Sequence, residues 1–329
     1  MKTPCIIGII IFWIAASIVG CGGNENPLGA IQVKLGHVLP TEHPSAVAVE
    51  KFAKLVNEKT HGAIEVTVYP SGQLGQEKDL AEQVQMGSLK AARLSASLLE
   101  VFVPEMRVHS LPYLYRDDEH KRKIFEGAIG KEILEAGASK NIMGILYFDS
   151  GYRSFYTQKP IRKPEDLAGI RCRAQNSPMM KDVIKYLGAS PQVVNWNELY
   201  TALSQGVVDA AENNISTLYY ARHYEICKYY NLTEHVGTPD VIVFNTTFWN
   251  NTLTAEQRDQ IREAAGEAVA LHWDNWQVQC AKQLKEMREK GVTISTLDKT
   301  PFVNAVQPIY DQIKGTKLGD LAARIKAVR

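Results

Sequence analysis

Apolar and polar positions alternate along residues 31–38 (IQVKLGHV), a segment bounded by Pro40. Alternation of this kind is the mark of a half-buried strand. Residues 45–59 follow with Val49, Phe52, Ala53 and Val56 on one helical stripe. A second strand is predicted over residues 64–69, closed by Pro70-Ser71-Gly72, and a second helix over residues 77–86, ending near Gly87. Strand, helix, strand, helix is the order of an α/β domain. The same order resumes with strands over 143–148, 170–174, 192–194 and 207–211, helices over 177–187 and 198–205, and one more strand over 241–245.

Residues 254–290 read as one uninterrupted helix. Thr254 and Gln257 form a capping box, no proline intervenes, and Gly291 supplies a stop. At 1.5 Å per residue such a helix is roughly 55 Å long. That exceeds the diameter of a domain of about 120 residues. The expected fold is therefore two α/β domains with the helix lying across both.

The N-terminus changes the picture of where the chain works. Lys2 precedes an apolar run, residues 5–19, which is too short to span a bilayer and of the right length for a signal peptide. The run ends Ile18-Val19-Gly20-Cys21, similar to a lipobox, in which the cysteine is acylated and becomes the new N-terminus. Residues 1–21 are expected to be a lipoprotein signal segment and residues 22–30 (GGNENPLGA) a flexible tether. Localisation outside the cytoplasmic membrane, anchored through Cys21, follows. Lysine and arginine total 37 against 36 acidic residues, and loss of Lys2 leaves 36 against 36. A neutral chain carries no footprint for nucleic acid, so attraction for an anion has to be local. Outside the leader only Cys172, Cys227 and Cys280 remain; the odd number and the spacing favour buried free thiols over a disulfide framework or a zinc site.

No nucleophile elbow, zinc-protease motif, P-loop or dinucleotide fingerprint is present. No cofactor is expected. The informative strings are GHVLPTEHP over residues 36–44, YPSGQLGQEKDL over 69–80, LPYLYRDDEH over 111–120, the Pro164-Glu165-Asp166-Leu167 turn with Gly169, Leu187-Gly188-Ala189, and Ala211-Glu212-Asn213-Asn214. As a set they resemble the solute-binding subunits of tripartite ATP-independent periplasmic (TRAP) transporters of the DctP type, over nearly the whole mature chain. The resemblance implies a periplasmic-binding-protein-like fold around a ligand cleft. Domain I would comprise residues 31–150 with 240–278, and domain II residues 151–239 with 279–329. It also implies integral membrane subunits as partners.

The resemblance assigns Arg173 to the ligand carboxylate, Arg153 to a position beside it, Asn213 to ligand oxygens and Trp196 to an aromatic wall. Guanidinium suits the first role because its planar fork meets a carboxylate with two hydrogen bonds and keeps its proton. Glu77, Arg93, His37 and Asn214 are further cleft candidates. The strings RCRAQNSPMM (171–180), AAENN (210–214) and HYEICKYYNLTEH (223–235) resemble the branch that takes sugar acids, notably hexuronates such as glucuronate or galacturonate. The alternatives are a C4-dicarboxylate or keto acid as ligand, an exported enzyme acting on sugar acids, and a ligand sensor.

Overall fold

A computed structural model describes residues 29–329; the apolar leader, Cys21 and most of the tether lie outside the described residues. Its strands are, in chain order, β1 (Ile31–Gly36), β2 (Ile64–Tyr69), β3 (Ala91–Ser95), β4 (Ile142–Phe148), β5 (Arg153–Thr157), β6 (Arg171–Ala174), β7 (Ser190–Val193), β8 (Ala210–Asn213), β9 (Tyr229–Val236), β10 (Asp240–Asn245) and β11 (Thr293–Thr296). They form two sheets, ordered β2-β1-β3-β10-β4 and β11-β9-β5-β8-β6-β7.

The pairing explains where a cleft can form. In the first sheet β1, β2 and β3 run parallel and β10 runs against its neighbours. In the second sheet the one antiparallel strand is β5. Each exception is the first strand to arrive from the other sheet: β5 follows β4 across residues 149–152, and β10 follows β9 across residues 237–239. The starts of β5 and β10 therefore lie beside the carboxyl ends of the parallel strands. Crevices at those ends are where open α/β sheets hold ligands.

The third connection is the helix Ala255–Glu289, with Thr254 and Gln257 closing the capping box at its start. At about 1.5 Å per residue it is roughly 52 Å long. Near its start Ile261, Ala264, Ala265 and Ala268 pack into the core of the first sheet with Phe52, Phe244 and Trp249. Near its end Leu284 and Met287 pack into the core of the second sheet with Tyr156 and Leu218. The helix thus backs both sheets, as its length required. A further apolar cluster, from Val38 through Phe155 to Ile325, runs across both halves. The last helix, Lys317–Ala327, returns to the first half: His120 Nε2 meets the Ile325 carbonyl at 2.9 Å and Arg324 pairs with Glu132 at 2.5 Å.

Two features of the sequence misled the reading of strands. The strand expected over 207–211 is observed as β8 at Ala210–Asn213, because Val207 is an exposed loop residue. β3, β5, β9 and β11 were not foreseen. β3 and β5 are buried at every position and so show no alternation. β9 hides Asn231, Thr233 and His235, all wholly buried, where an apolar residue would have signalled a strand. Cys172, Cys227 and Cys280 are all free thiols.

Candidate functional site

The cleft is lined from both sheets, and its two walls are built differently. On the first wall Arg93 and Ser95 share a face of β3, two residues apart, and Asp240 pairs with Ser95 across the ladder. Glu77 opens the helix Glu77–Met86 beneath them. Arg93 Nη1 donates to Glu77 Oε1 at 2.8 Å, and Nη2 contacts Asp240 Oδ1. Glu77 Oε1 also accepts the Ser95 amide at 3.1 Å. One guanidinium therefore serves two carboxylates. Burial opposes the charge on Asp240, yet Arg93 holds this carboxyl below the usual range, whereas burial pushes Glu77 up.

The second wall is organised around Arg153 at the start of β5. Its Nε and Nη2 donate to the two carboxylate oxygens of Glu212, at 2.5 and 2.8 Å, and Nη2 also reaches the Glu212 carbonyl at 2.7 Å. Glu212 is completely buried. Burial works against its charge, but Arg153 and His235 hold the carboxyl down at about 2. Arg153 Nη1 donates to Asn213 Oδ1 at 3.1 Å, and the Asn214 amide donates to the same oxygen at 2.9 Å. Asn214 caps the helix Ile215–Tyr220 through its own Oδ1, which accepts from Thr217 at 2.8 Å. Both asparagine oxygens are thus committed inside the protein. Among the described residues neither Nδ2 has a hydrogen-bond partner, and both residues line the cleft.

Arg173, in β6, has a different status from the other two arginines. Its Nε donates to the Val194 carbonyl at 3.0 Å, and no carboxylate lies within 4 Å of it among the described residues. The side chain is nonetheless buried, which lowers its pKa from the usual value. A guanidinium taken out of water without a counter-ion is costly unless an anion completes it.

Of the residues singled out from sequence, Arg173, Arg153, Asn213, Asn214, Trp196, Glu77 and Arg93 all line this one cleft. His37 does not. It lies buried behind the wall, its Nδ1 accepting the Leu39 amide at 3.2 Å, and burial followed by Arg93 lowers its pKa to about 4. Trp196 begins a short 3-10 turn and its ring meets His223 at 5.5 Å, tilted by 60°. Asp240, His43, Ser95, Ser150 and Gln175 also line the cleft, and none of them was singled out from sequence. Glu212 was visible within the AENN string but not as the partner of Arg153. Burial lowers the pKa of His43 to about 3, so it is neutral near pH 7.

The two walls stand close together across a narrow space that opens to solvent at its mouth. Among the described residues several lining atoms are buried without a hydrogen-bond partner: Ser95 Oγ, Ser150 Oγ, Gln175 Oε1 and Arg93 Nε. Native interiors rarely leave such groups unsatisfied. The arrangement calls for an oxygen-rich, anionic small molecule.

Comparison with known proteins agrees with this geometry. The profile of the bacterial extracellular solute-binding proteins, family 7 (DctP), matches residues 35–316. A TRAP periplasmic solute-binding protein from Xanthobacter autotrophicus Py2, solved with bound β-D-galacturonate, is 38% identical with a TM-score of 0.87, over 91% of this chain and 100% of that one. One from Pseudomonas putida F1, with bound D-glucuronate, is 34% identical with a TM-score of 0.87, over 91% and 98%. A solute-binding protein of Chromohalobacter salexigens is 35% identical over 280 residues, 84% of this chain and 82% of the relative. Two sheets around a cleft, a helix backing both, and a match over most of the chain identify it: the protein belongs to the DctP family of bacterial extracellular solute-binding proteins, the periplasmic binding subunits of TRAP transporters.

Proposed function

We propose that the cleft captures a hexuronate, glucuronate or galacturonate, outside the cytoplasmic membrane and presents it to the membrane subunits of a TRAP transporter. The observation that carries this reading is the buried guanidinium of Arg173, its two terminal nitrogens without a protein partner, beside the free amide donors of Asn213 and Asn214. Together they form a receptor for one carboxylate. Arg153 orients Asn213 while its own charge is met by Glu212. Trp196 offers its indole face to the C–H surface of a sugar ring. The relatives bound to galacturonate and glucuronate support the ring size.

Residues 31–150 with 240–278 and residues 151–239 with 279–316 act as two domains that close over the ligand, with the long helix as the spine and the last helix, Lys317–Ala327, returning to the first domain instead of staying with the second. Gly151, in the first crossover, takes φ +61° against Trp276 of that helix, a backbone region that a side chain would strain. Acylation of Cys21 tethers the protein to the membrane. Cys21→Ser should release it in soluble form, and an uncut native N-terminus would remove the anchor from the account.

Calorimetric titration tests the ligand. Wild type should bind glucuronate or galacturonate, and Arg173→Ala should weaken this by roughly two to three orders of magnitude, a few kcal/mol for a charge-assisted pair in a closed cleft. Affinity unaltered in Arg173→Ala would take Arg173 out of the site. Failure of every uronate to bind wild type would reject the hexuronate.

A further inference from the structure

The cleft is electrically polar across its width. Arg173 on the second wall has no carboxylate partner, and Arg153 has one, Glu212. On the first wall a single guanidinium, Arg93, stands between two carboxylates, Glu77 and Asp240. The second wall is therefore one positive charge in excess and the first wall one negative charge in excess.

The unused hydrogen-bonding atoms follow this division with three exceptions, Arg93 Nε and Ser95 Oγ on the first wall, which can donate, and the acceptor Gln175 Oε1 on the second. Those on the second wall are largely donors: the terminal nitrogens of Arg173 and the amides of Asn213 and Asn214. On the first wall Asp240 faces the buried Ser45 hydroxyl, and Glu77 makes its hydrogen bonds through Oε1 alone, which leaves Oε2 as the unused acceptor. Asp240 and Arg93 are both nearly wholly buried, so solvent does not screen this wall.

From this asymmetry we infer that the site accepts one carboxylate only, and that Asp240 and Glu77 determine specificity by requiring hydroxyl donors at the opposite end of the ligand. A second carboxylate there would face the excess negative charge and the free Oε2 of Glu77, with both terminal nitrogens of Arg93 already held by Glu77 and Asp240. The site would thus reject sugar acids oxidised at both ends, and C4-dicarboxylates with them. Rejection through an unpaired, desolvated charge is a stronger discriminator than shape alone.

This inference rests on the reading of the cleft as a sugar-acid site, and the ligand series separates the two. Titrations of galacturonate, D-galactonate (one carboxylate, open chain), galactarate (the same chain with a carboxylate at both ends), succinate and galactose are compared on the full-length mature protein. Monocarboxylates should bind at least 100-fold tighter than galactarate or succinate. Galactose should not bind. Because galactonate and galactarate are both open chains, their ratio isolates the second carboxylate from ring shape. Asp240→Asn, which removes one charge from the first wall, should narrow the galactonate-to-galactarate ratio at least tenfold. If that variant does not fold, Glu77→Gln removes a charge from the same wall and is read in the same way. Galactarate binding within tenfold of galactonate in wild type would overturn the inference. So would an unchanged ratio in a folded variant. Binding of galactonate but no uronate would reject the hexuronate while the ratio still judged the one-carboxylate rule. Tight binding of succinate alone would overturn both.

Discussion

Replacing Glu212 by Gln is a sharp test of how the second wall is held together. The carboxylate is wholly buried and receives Arg153 Nε at 2.5 Å and Nη2 at 2.8 Å. Gln keeps the shape and one acceptor but removes the charge. The Arg153 guanidinium, itself 5% exposed, is then buried without a counter-ion. Breaking one side of a buried pair costs about 3–5 kcal/mol. The titration of Glu212 gives a figure of the same size. Its carboxyl moves from 4.5 in the unfolded chain to about 2 in the folded one, and about 2.5 pH units at 1.36 kcal/mol each is roughly 3 kcal/mol. This contribution is complete above about pH 4.5 and drains away as the pH falls toward 2. In urea, with a slope of about 3 kcal/mol/M for a chain of this size, the midpoint of Glu212→Gln should fall by about 1 M or somewhat more. The double variant Arg153→Met/Glu212→Met buries no charge and should regain at least half of the loss, since apolar residues commonly replace a buried pair at little cost. A midpoint shift below about 0.3 M, or a double variant less stable than either single one, would refute the claim that a desolvated ion pair holds β5 to β8.

Three further outcomes are expected. Burial lowers the pKa of His37 to about 4 and those of His43, His109 and His223 to about 3. The unfolded chain takes up these protons below about 6.5 and the folded one does not, so each histidine withdraws about 1.4 kcal/mol of stability per pH unit below 6.5. The urea midpoint should fall steadily from pH 7 to pH 5, and a flat profile would contradict the buried neutral rings. Lys121 is wholly buried where the connections between the two sheets meet. Its ammonium lies 2.8 Å from Asp149 in the first crossover and 4.0 Å from the centre of the Tyr152 ring, which faces Gly237 in the second, and His272 of the long helix meets the Asp149 carbonyl at 2.6 Å. Lys121→Met should therefore weaken uronate binding about tenfold although Lys121 does not line the cleft; unchanged affinity would show that the lysine does not set the crossover. Arg173→Lys should recover only part of the affinity lost in Arg173→Ala, because a point donor does not reproduce the fork. Full recovery would mean that charge alone matters there.

Local chemistry left a clear record in the sequence wherever an element is amphipathic or capped. The alternation of residues 31–38, the stripe of residues 45–59 and the Thr254–Gln257 capping box each specify an element through neighbours in the chain, and each was found within a few residues of its expected place. Helix length alone required one element to span two sheets, since no proline interrupts residues 254–290 and the helix runs on through Gly266. Motif strings pointed to Arg173, Arg153 and Asn213, because the backbone there presents those side chains from strand ends. Which arginine lacks a counter-ion was decided by tertiary structure. Arg93, Arg153 and Arg173 are alike in sequence, and the difference lies in partners 16 to 147 positions away: Glu77 and Asp240 for the first, Glu212 for the second, no carboxylate within 4 Å for the third. Ion pairing acts through space and burial sets its strength, so neither is legible in a linear pattern. The same holds for β9, whose buried Asn231, Thr233 and His235 find partners far along the chain, among them Phe155 and Thr157 of β5, Ile161 and Glu212. Sequence fixed the elements and the type of chemistry; the fold decided which charges meet and which one waits for a ligand.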